Sequence, residues 1–154
     1  MSFPKVEMIE FGIFEMSFFK KVVSEHSATG FDYIDVELNL SKCTNKIPLE
    51  PNLCFGIKYK LLNYEGPSLN CKVNHPEIEN PEGLAFTQTV MAKKPSSDGI
   101  YVDFFLFEYK WQMIPGYWTF QILNQSTILF EKEFEIFMEN SLQLEEDEDY
   151  FYDL

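Results

Sequence analysis

The amino-acid sequence contains no arginine: all twelve of its basic residues are lysine, against twenty-five aspartate and glutamate residues. Arginine is the side chain best suited to bidentate contacts with phosphates and base edges. The net charge of −13 at pH 7 adds long-range repulsion from nucleic acids and anionic membranes. We therefore expect no nucleic acid and no membrane among its partners, and a protein with a basic surface as the more suitable one.

Signals for export or membrane insertion are also missing. No apolar run reaches the roughly 18 residues needed to span a bilayer. The opening "MSFPKVEMIEFG" carries acidic residues within its apolar stretch and has no long apolar core of a signal peptide. The three cysteines, Cys43, Cys54 and Cys71, are an odd number without a C-x-x-C pair. Reduced thiols in the cytoplasm are the simplest expectation.

Catalytic motifs are scarce. No P-loop, glycine-rich dinucleotide loop or G-x-S-x-G elbow occurs, and the two histidines, His26 and His75, belong to no H-x-x-H pair. The segment "SEHSATG" around His26 contains the residue types of a catalytic triad, but a triad is defined by geometry across a fold. We predict a protein that is not an enzyme and has no cofactor. An enzyme with a site built around His26 or His75 remains an alternative.

Metal ligands are not arranged in a familiar pattern either. The three cysteines could meet His75 at a zinc ion only through the fold, because their spacings match no common zinc motif. The glutamates of "HPEIENPEG", Glu77, Glu79 and Glu82, could bind calcium weakly, but the usual ligand loop with its glycine is missing. We therefore predict no metal site.

The residues that are present suit a folded domain. Hydrophobic residues make up 45% and aromatic residues 17% of the 154-residue chain, so a dense core can form within a single domain. Apolar and polar residues alternate with a period of two, most clearly in "FDYIDVELNL", "LCFGIKYKLLN" and "LNCKVNH". About seven or eight such stretches, separated by turn sequences, predict an all-β protein, either a sandwich or a small barrel.

Three segments require separate interpretations. Residues 17–27 predict a short helix or a loop, and "HPEIENPEG", residues 75–83, predicts a loop because of its prolines and glycine. Lys58, Lys60 and Lys132 lie in predicted strands, where lysine protects a sheet edge against pairing. These lysines favour a monomer. At Lys132 the alternation continues only if the lysine shares the apolar face, which predicts a bulge, twist or edge there.

The stretch "MIPGYWTFQIL" is either an exposed aromatic site or a corner that leads into a buried strand. Pro115 and Gly116 are a favoured central pair of a type II turn. After them, Trp118, Phe120 and Ile122 share one face and Tyr117 lies on the other. Because a tryptophan on an apolar face is most often a core residue, we predict the corner.

The last residues differ from the rest of the chain. "EEDEDYFYDL" holds six carboxylates, so the charge without it is −13 plus 6, or −7. Such a block is either a mobile tail or an acidic-aromatic motif that docks on a basic groove. We predict a β domain over residues 1–140 and a tail over residues 141–154. The candidate partner-binding residues of the tail are Asp149, Tyr150, Phe151, Tyr152 and Leu154.

Several of these segments resemble a known family. "FGIFE" and "FGIKYKL", the loop-like "HPEIENPEG" and the closing "IPGYWTFQILNQSTILFEKEFEIF" are similar to a bacterial domain of unknown function, family 3859. The resemblance covers about residues 6–137 and leaves out the acidic tail. It implies an immunoglobulin-like antiparallel β-sandwich, and it carries over no catalytic residue.

The leading hypothesis is a non-enzymatic binding module that contacts another protein with a basic surface, as an inhibitor, immunity protein or adaptor would. The alternative is a sandwich that binds a small ligand, such as a carbohydrate or an apolar molecule. That function would require a contiguous exposed patch that includes Tyr101, Tyr109 or Tyr117.

Overall fold

The computed structural model describes residues 4–25, 29–64, 69–92 and 98–138. These ranges contain nine strands and one short 3-10 helix, Lys110–Gln112. The strands are β1 (Lys5–Val23), β2 (Phe31–Lys42), β3 (Lys46–Pro48), β4 (Cys54–Leu62), β5 (Asn70–Glu79), β6 (Ala85–Ala92), β7 (Ile100–Leu106), β8 (Gly116–Asn124) and β9 (Thr127–Phe137). The prediction of an all-β protein is confirmed, with slightly more strands than expected.

The strands form two sheets that pack as a sandwich. The four-stranded sheet has the order β2-β1-β4-β7, and the five-stranded sheet has the order β3-β9-β8-β5-β6. Neighbouring strands are antiparallel except β3 and β9, which are parallel, with Ile47 opposite Ile136. The expected antiparallel sandwich is confirmed, and this one short parallel pair is the exception. The parallel pairing of β3 with β9 is possible because the chain crosses between the sheets before and after β3.

Period-two alternation decides which side chains enter the core. In β4, Phe55, Ile57 and Tyr59 are fully buried, whereas the next residue, Lys60, is exposed. In the alternating stretch "LNCKVNH", which leads into β5, every second residue is buried: Leu69, Cys71, Val73 and His75. Each large apolar side chain removed from water contributes about 1.5–3 kcal/mol, so the alternation itself positions both sheets.

Aromatic rings fill the centre of the sandwich. The ring of Phe55 lies 5.4 Å from those of Phe107 and Phe134 and 5.8 Å from that of Trp118, measured between centroids. The Phe134 and Trp118 rings meet Phe55 edge-on, an arrangement that adds attraction beyond area burial. Phe55 thus joins β4 of one sheet to β8 and β9 of the other.

The short helix predicted for residues 17–27 is wrong over the part that the structure describes. Strand β1 continues through Val23, and its second half pairs with β2, with Lys21 opposite Tyr33 and Val23 opposite Phe31. Its first half pairs with β4 instead. The backbone groups of residues 17–23 therefore find partners on a strand that is distant in sequence, which local propensity does not reveal. Residues 26–28 lie outside the described ranges.

The loop predicted for residues 75–83 is also shorter than expected. Strand β5 runs to Glu79, and its pairing with β6 is interrupted between Asn74 and Ile78. This bulge accommodates Pro76, which has no N–H to give to a ladder. The turn that follows is closed by Asn80, whose side-chain oxygen accepts hydrogen bonds from the backbone N–H groups of Glu82 and Leu84, both at 3.0 Å.

Two of the three lysines assigned to sheet edges lie in the interior of a sheet. Lys58 and Lys60 belong to β4, which has β1 on one side and β7 on the other, so the edge assignment is wrong for both. Sequence reveals alternation within a strand but not the order of strands in a sheet. The argument that these two lysines favour a monomer therefore no longer holds.

Lys132 shares the inner face of β9 with Phe134, and its ammonium lies 3.9 Å from the centroid of the Phe11 ring. A cation over an aromatic face is electrostatically favourable, which explains the lysine on an apolar face. The register of β9 against β8 shifts between the pairs that contain Phe130 and Ile128. The irregularity predicted near Lys132 therefore lies slightly before it in the strand, and Ile128 is left 49% exposed.

Candidate partner-binding face

The chain turns a corner into β8, as the sequence predicts. Trp118 is fully buried, and its indole N–H donates a hydrogen bond of 3.0 Å to the carbonyl oxygen of Ile114. Gly116 has a φ of 134°, well beyond the value of about 80° that a type II turn requires, and it already pairs with Ile136. The predicted type II turn is therefore replaced by a direct entry into the strand. A Cβ on Gly116 would lie 2.7 Å from Cγ of Pro76.

The same corner turns Tyr117 outward. Tyr117 is 61% exposed and lies on the outer face of the five-stranded sheet, opposite Glu135 of β9. Along β9 the two preceding outward positions are Glu133, opposite Thr119, and Glu131, opposite Gln121. We call the surface of Tyr117, Glu131, Glu133 and Glu135 the Tyr117–glutamate face.

The three glutamates act together electrostatically. Alternate residues of a strand lie about 6.8 Å apart, which is within one Debye length at physiological ionic strength. The ion pairs of the described ranges join Lys21 to Glu108 and Lys58 to Glu10, both on the other sheet or its loops. Within the described ranges the three glutamates form no ion pair, so their negative potentials add at this face.

Neighbouring side chains define the margins of this face. The side-chain amide of Gln121 donates a hydrogen bond of 3.0 Å to Glu131, which fixes that carboxylate. Lys72 of β5 lies opposite Gln121 at one margin, and Lys46 of β3 lies in register with Glu135 at the other. The negative charge is therefore concentrated along β9, where Glu131 and Glu133 precede the short stretch that pairs with β3.

The other two tyrosines considered for an exposed patch lie elsewhere. Tyr101 is on the four-stranded sheet opposite Tyr59, half-buried against the core, with the two rings stacked at 5.8 Å. Tyr109 precedes the 3-10 helix and is stacked on Trp111, with ring centroids 5.7 Å apart. The structure therefore does not bring Tyr101, Tyr109 and Tyr117 together. The tail residues Asp149, Tyr150, Phe151, Tyr152 and Leu154 lie outside the described ranges.

His75 is enclosed by aromatic rings at the bulge of β5. Its ring centroid lies 4.8 Å from that of Trp118 and 5.5 Å from that of Phe86. Nδ1 lies 2.8 Å from the carbonyl oxygen of Pro76, which can only accept, so Nδ1 carries the proton. Nε2 then accepts from the hydroxyl of Thr89 at 3.0 Å. Burial lowers the pKa of His75, although the bond to Pro76 opposes the shift.

This arrangement occupies both nitrogens of the one histidine that the structure describes. A general base needs a free nitrogen within reach of a substrate proton, and here Thr89 holds Nε2 inside the core. The remaining histidine, His26, lies outside the described ranges. The imidazole of His75, which the alternative of an enzyme would require, is therefore not accessible in the structure.

The three cysteines occupy unlike environments. All are free thiols; Cys43 is exposed, whereas Cys54 and Cys71 are buried. Burial raises the pKa of Cys54 to about 12. Burial also raises the pKa of Cys71, and the charge and hydrogen bond of Asp103 add to the effect. Both buried thiols are therefore held in their protonated, unreactive form at neutral pH.

The described residues offer neither a metal-binding cluster nor a membrane-spanning helix. No three histidine, cysteine, aspartate or glutamate side chains of the described ranges converge in a way that could hold a metal ion. Within those ranges no helix has the length and apolar character needed to cross a bilayer.

Comparison with known proteins identifies the family. Residues 2–136 match the family described as "Domain of unknown function (DUF3859)". The chain belongs to this family. No curated protein matches it. The resemblance drawn from "FGIFE", "FGIKYKL" and the closing "IPGYWTF" segment is thereby confirmed.

A solved structure supports the fold of this DUF3859 member. It is similar to an immunoglobulin-like protein from Pseudomonas aeruginosa (PA1606) known at 1.50 Å resolution, with a TM-score of 0.65 and 19% sequence identity. The similarity covers 86% of this chain and 97% of the other. At this identity the comparison establishes the immunoglobulin-like sandwich and nothing about function.

Sequence reasoning did not single out the glutamates of the Tyr117–glutamate face. The signal is present in "FEKEFEIF", where glutamate occupies every second position opposite an apolar series. Their significance depends on Tyr117, which reaches the same face only because β8 and β9 are neighbours. Pairing between two strands, rather than either strand alone, assembles the face.

Proposed function

We propose that this DUF3859 protein is a non-enzymatic binding module that contacts a protein with a basic surface through the Tyr117–glutamate face. The observation that carries the proposal is the exposed Tyr117 beside a strand with three outward glutamates. An inhibitor, an immunity protein or an adaptor would all use such a surface. Three free thiols favour a reducing compartment such as the cytoplasm.

The two parts of the face contribute differently to binding. The glutamates attract a basic partner over several ångströms and speed the encounter, because their negative potentials add. Tyr117 supplies a large, semi-rigid contact that loses little conformational entropy when a partner covers it. Association should therefore weaken as salt is raised, mainly through a slower association rate.

Affinity capture from the native host, followed by binding measurements on the captured protein, tests the proposal. The first variant carries Glu131→Gln, Glu133→Gln and Glu135→Gln together, and the second carries Tyr117→Ala. Three surface charges contribute about 0.5 kcal/mol each, so the first variant should bind about tenfold more weakly at low salt. Biolayer interferometry at two salt concentrations provides the affinities.

The control removes the same amount of charge elsewhere. Glu7→Gln, Glu15→Gln and Glu37→Gln change three exposed carboxylates of the four-stranded sheet. This control should change the affinity less than about threefold. Equal losses in the two triple variants would show that net charge, rather than this face, governs binding. Failure to capture any specific partner would count against the proposal as a whole.

A version that ends at Ser141 separates the face from the tail. It lacks all six carboxylates of the segment that contains Asp149, Tyr150, Phe151, Tyr152 and Leu154. If the face carries the interaction, this version still captures the partner and remains sensitive to the glutamate substitutions. Complete loss of capture would transfer the interaction to the tail.

A further inference from the structure

The second half of β1 and the first half of β2 form a two-stranded arm. Strand β1 pairs with β4 only as far as Phe14, which lies opposite Cys54, the first residue of β4. Beyond Phe14, and within the described ranges, residues 15–23 pair with residues 31–39 of β2 alone. We call these two segments the arm. A two-stranded ribbon is marginally stable in water, so the arm needs support from the rest of the molecule.

The position of Lys21 shows that the arm bends back towards the four-stranded sheet. The Lys21 ammonium lies 2.9 Å from Oε1 of Glu108. Glu108 comes two residues after Leu106, which lies level with Phe14 on the other side of β4. On straight strands Lys21 would lie about 23 Å past this level and Glu108 about 7 Å past it, leaving them about 16 Å apart along the strands. The arm therefore turns back and crosses the start of β4.

Two irregularities in the pairing of β1 with β2 accommodate this bend. The register shifts between Met16 and Phe18 and again between Phe18 and Lys20, and bulges of this kind bend a strand. Between them the Ser17 hydroxyl donates a hydrogen bond of 3.3 Å to the carbonyl oxygen of Glu37 on β2. This bond ties the two strands together, so the arm can move as one unit about the bulges.

Two buried side chains lie on the side of the four-stranded sheet that faces away from the core. Phe14 is 3% and Cys54 is 2% exposed, yet neither belongs to the core cluster. Their chain neighbours Ile13 and Phe55 pack in the core, so alternation turns Phe14 and Cys54 to the outer side. Side chains on an outer side are buried only where something covers them. The arm, which crosses the start of β4, accounts for the cover.

The contact between Lys21 and Glu108 is the latch of this arrangement. The Lys21 ammonium also lies 4.5 Å from the centroid of the Phe31 ring, a favourable place for a cation. The hydrogen bond to Glu108 raises the pKa of Lys21 above its ordinary value of 10.5, so the ammonium stays charged at neutral pH. The Lys21 and Glu108 side chains are 33% and 21% exposed, however, and ion pairs that water reaches are weak. The latch can therefore open while the sandwich stays folded.

We propose that the arm is a strap that swings open about its bulges when the Lys21–Glu108 latch breaks, while both sheets remain folded. Opening exposes an apolar surface around Phe14 and Cys54. Phe104 and Leu106 of β7 are half-buried and lie on the same side of the sheet, which enlarges this surface. An apolar patch that the closed molecule hides thus becomes available for contact. The strap does not depend on the Tyr117–glutamate face, which lies on the other sheet.

The three cysteines make the opening measurable in the native full chain. Each lies in a different tryptic peptide, so N-ethylmaleimide labelling followed by mass spectrometry gives three separate rates. Cys43 is exposed and reports the intrinsic rate of the reagent. Cys71 is fully buried in the core and reacts when the whole domain unfolds. Burial raises the pKa of Cys54 to about 12, so Cys54 reacts only through a form in which it is uncovered.

In the original chain Cys54 should react at least about tenfold faster than Cys71, because local opening is more frequent than global unfolding. Equal rates would mean that Cys54 is reached only through global unfolding, and the proposal would be overturned. The ratio of the Cys54 rate to the Cys71 rate is the quantity to compare between variants, since it is corrected for any change in global stability.

Two substitutions open the latch. Glu108→Gln should raise the ratio about threefold, and Lys21→Met, which also removes the cation from the Phe31 ring, about tenfold. The double variant should stay within about 1.5-fold of Lys21→Met alone, because without the lysine the Glu108 carboxylate has no latch to hold. Unchanged ratios, or effects of the two substitutions that simply multiply, would show that Lys21 and Glu108 do not hold the arm together.

Glu10→Gln is the matched control. Glu10 forms the other ion pair of this sheet, 3.7 Å from the Lys58 ammonium, between β1 and β4 and outside the arm. The control should leave the ratio within about 1.5-fold of the original. An increase as large as that of Glu108→Gln would show that weakening the sheet anywhere uncovers Cys54, which contradicts a strap.

A version that ends at Ser141 identifies the cover. If the arm covers Cys54, this version keeps the original ratio and the same response to Lys21→Met. A rise of about tenfold on truncation would assign the cover to the acidic segment and overturn the proposal.

Discussion

His75 is held by the fold in its neutral form. Pro76 accepts its Nδ1 proton, Thr89 donates to Nε2, and aromatic rings exclude water around it. Burial disfavours the charged ring and lowers the pKa of His75 below its ordinary value of 6.5. At a pH between the two pKa values, His75 is therefore protonated in the unfolded chain and neutral in the folded chain.

The free energy of unfolding should consequently fall as pH falls below 6.5, until the pH passes below the folded-state pKa. The slope from this one proton is at most about 1.4 kcal/mol per pH unit. His75→Gln should be less stable at pH 7.5 but should lose this part of the slope in urea unfolding between pH 7.5 and 5.5. His26→Gln removes the other histidine and should keep the slope. An unchanged slope in His75→Gln would refute the assignment.

The face on which a single side chain lies was predictable where it depends only on alternation along one strand. Trp118 and Tyr117 were assigned to opposite faces from their adjacency alone, and the structure buries the first and exposes the second. The aromatic enclosure of His75 was not predictable in this way, because it depends on Phe86 and Trp118 from two other strands. Tyr101 occupies a position in its strand that sequence alone could not distinguish from an exposed one.

At the scale of the element, the backbone of β4 at Gly56 lies very close to the backbone of β7. Gly56 lies between Gly12 of β1 and Phe104 of β7 in the ladder. A Cβ on Gly56 would overlap the carbonyl oxygen of Asp103 and lie 2.7 Å from Cα of Phe104. The central strand of the four-stranded sheet can therefore keep its place only with glycine at this position.

Gly56→Ala should lower the free energy of unfolding by about 2–3 kcal/mol, because the backbone of β7 must move away from β4. Gly83→Ala is the control. Gly83 has a φ of 85°, so alanine is strained there by about 1 kcal/mol, but the nearest atom to its Cβ would be 4.0 Å away. Urea unfolding gives both values. A cost at Gly56 no greater than that at Gly83 would show that the two strands can separate freely.

Elements were predictable where apolar residues alternate without interruption, as in β4 and β8. They were mispredicted where pairing overrides local composition. The mixed segment 17–23 is strand because β2 pairs with it, and Pro76 is tolerated within β5 because a bulge removes the need for its N–H. The partner strand that decides both cases is absent from any local window of sequence.

At the scale of the whole molecule, the hydrophobic core cluster of the described ranges extends from Ile47 to Ile136. The six carboxylates that follow Ser141 account for the difference between a net charge of −13 and one of −7. The domain boundary near residue 140 stays a prediction, and truncation tests it.

A version that ends at Ser141 should unfold with a free energy within about 0.5 kcal/mol of that of the full chain, since it keeps every core residue of the described ranges. Its lower net charge should reduce self-repulsion and offset any small loss. Urea unfolding followed by tryptophan fluorescence measures the difference. A loss greater than about 1 kcal/mol would mean that the β domain extends into the acidic segment and that the boundary is wrong.

The class of fold was readable from the sequence, and strand order was not. Turn spacing and period-two alternation predict the sandwich, but they do not reveal which strands lie on either side of Lys58 and Lys60. The order β2-β1-β4-β7 places these lysines in the middle of one sheet, and the order β3-β9-β8-β5-β6 leaves the uncharged β6 at an edge of the other. Sequence reasoning consequently favoured a monomer for a reason that the structure removes.

The chain passes from one sheet to the other five times between β1 and β9. A nascent chain therefore cannot close the four-stranded sheet before β7 leaves the ribosome, nor the five-stranded sheet before β9 does. Until then the apolar sides of β4 and β5 have no finished layer to cover them. Folding should be slow, in the range of milliseconds to seconds, because most pairing is non-local. Protection by a chaperone during synthesis would be most useful while roughly the last third of the chain is still being made.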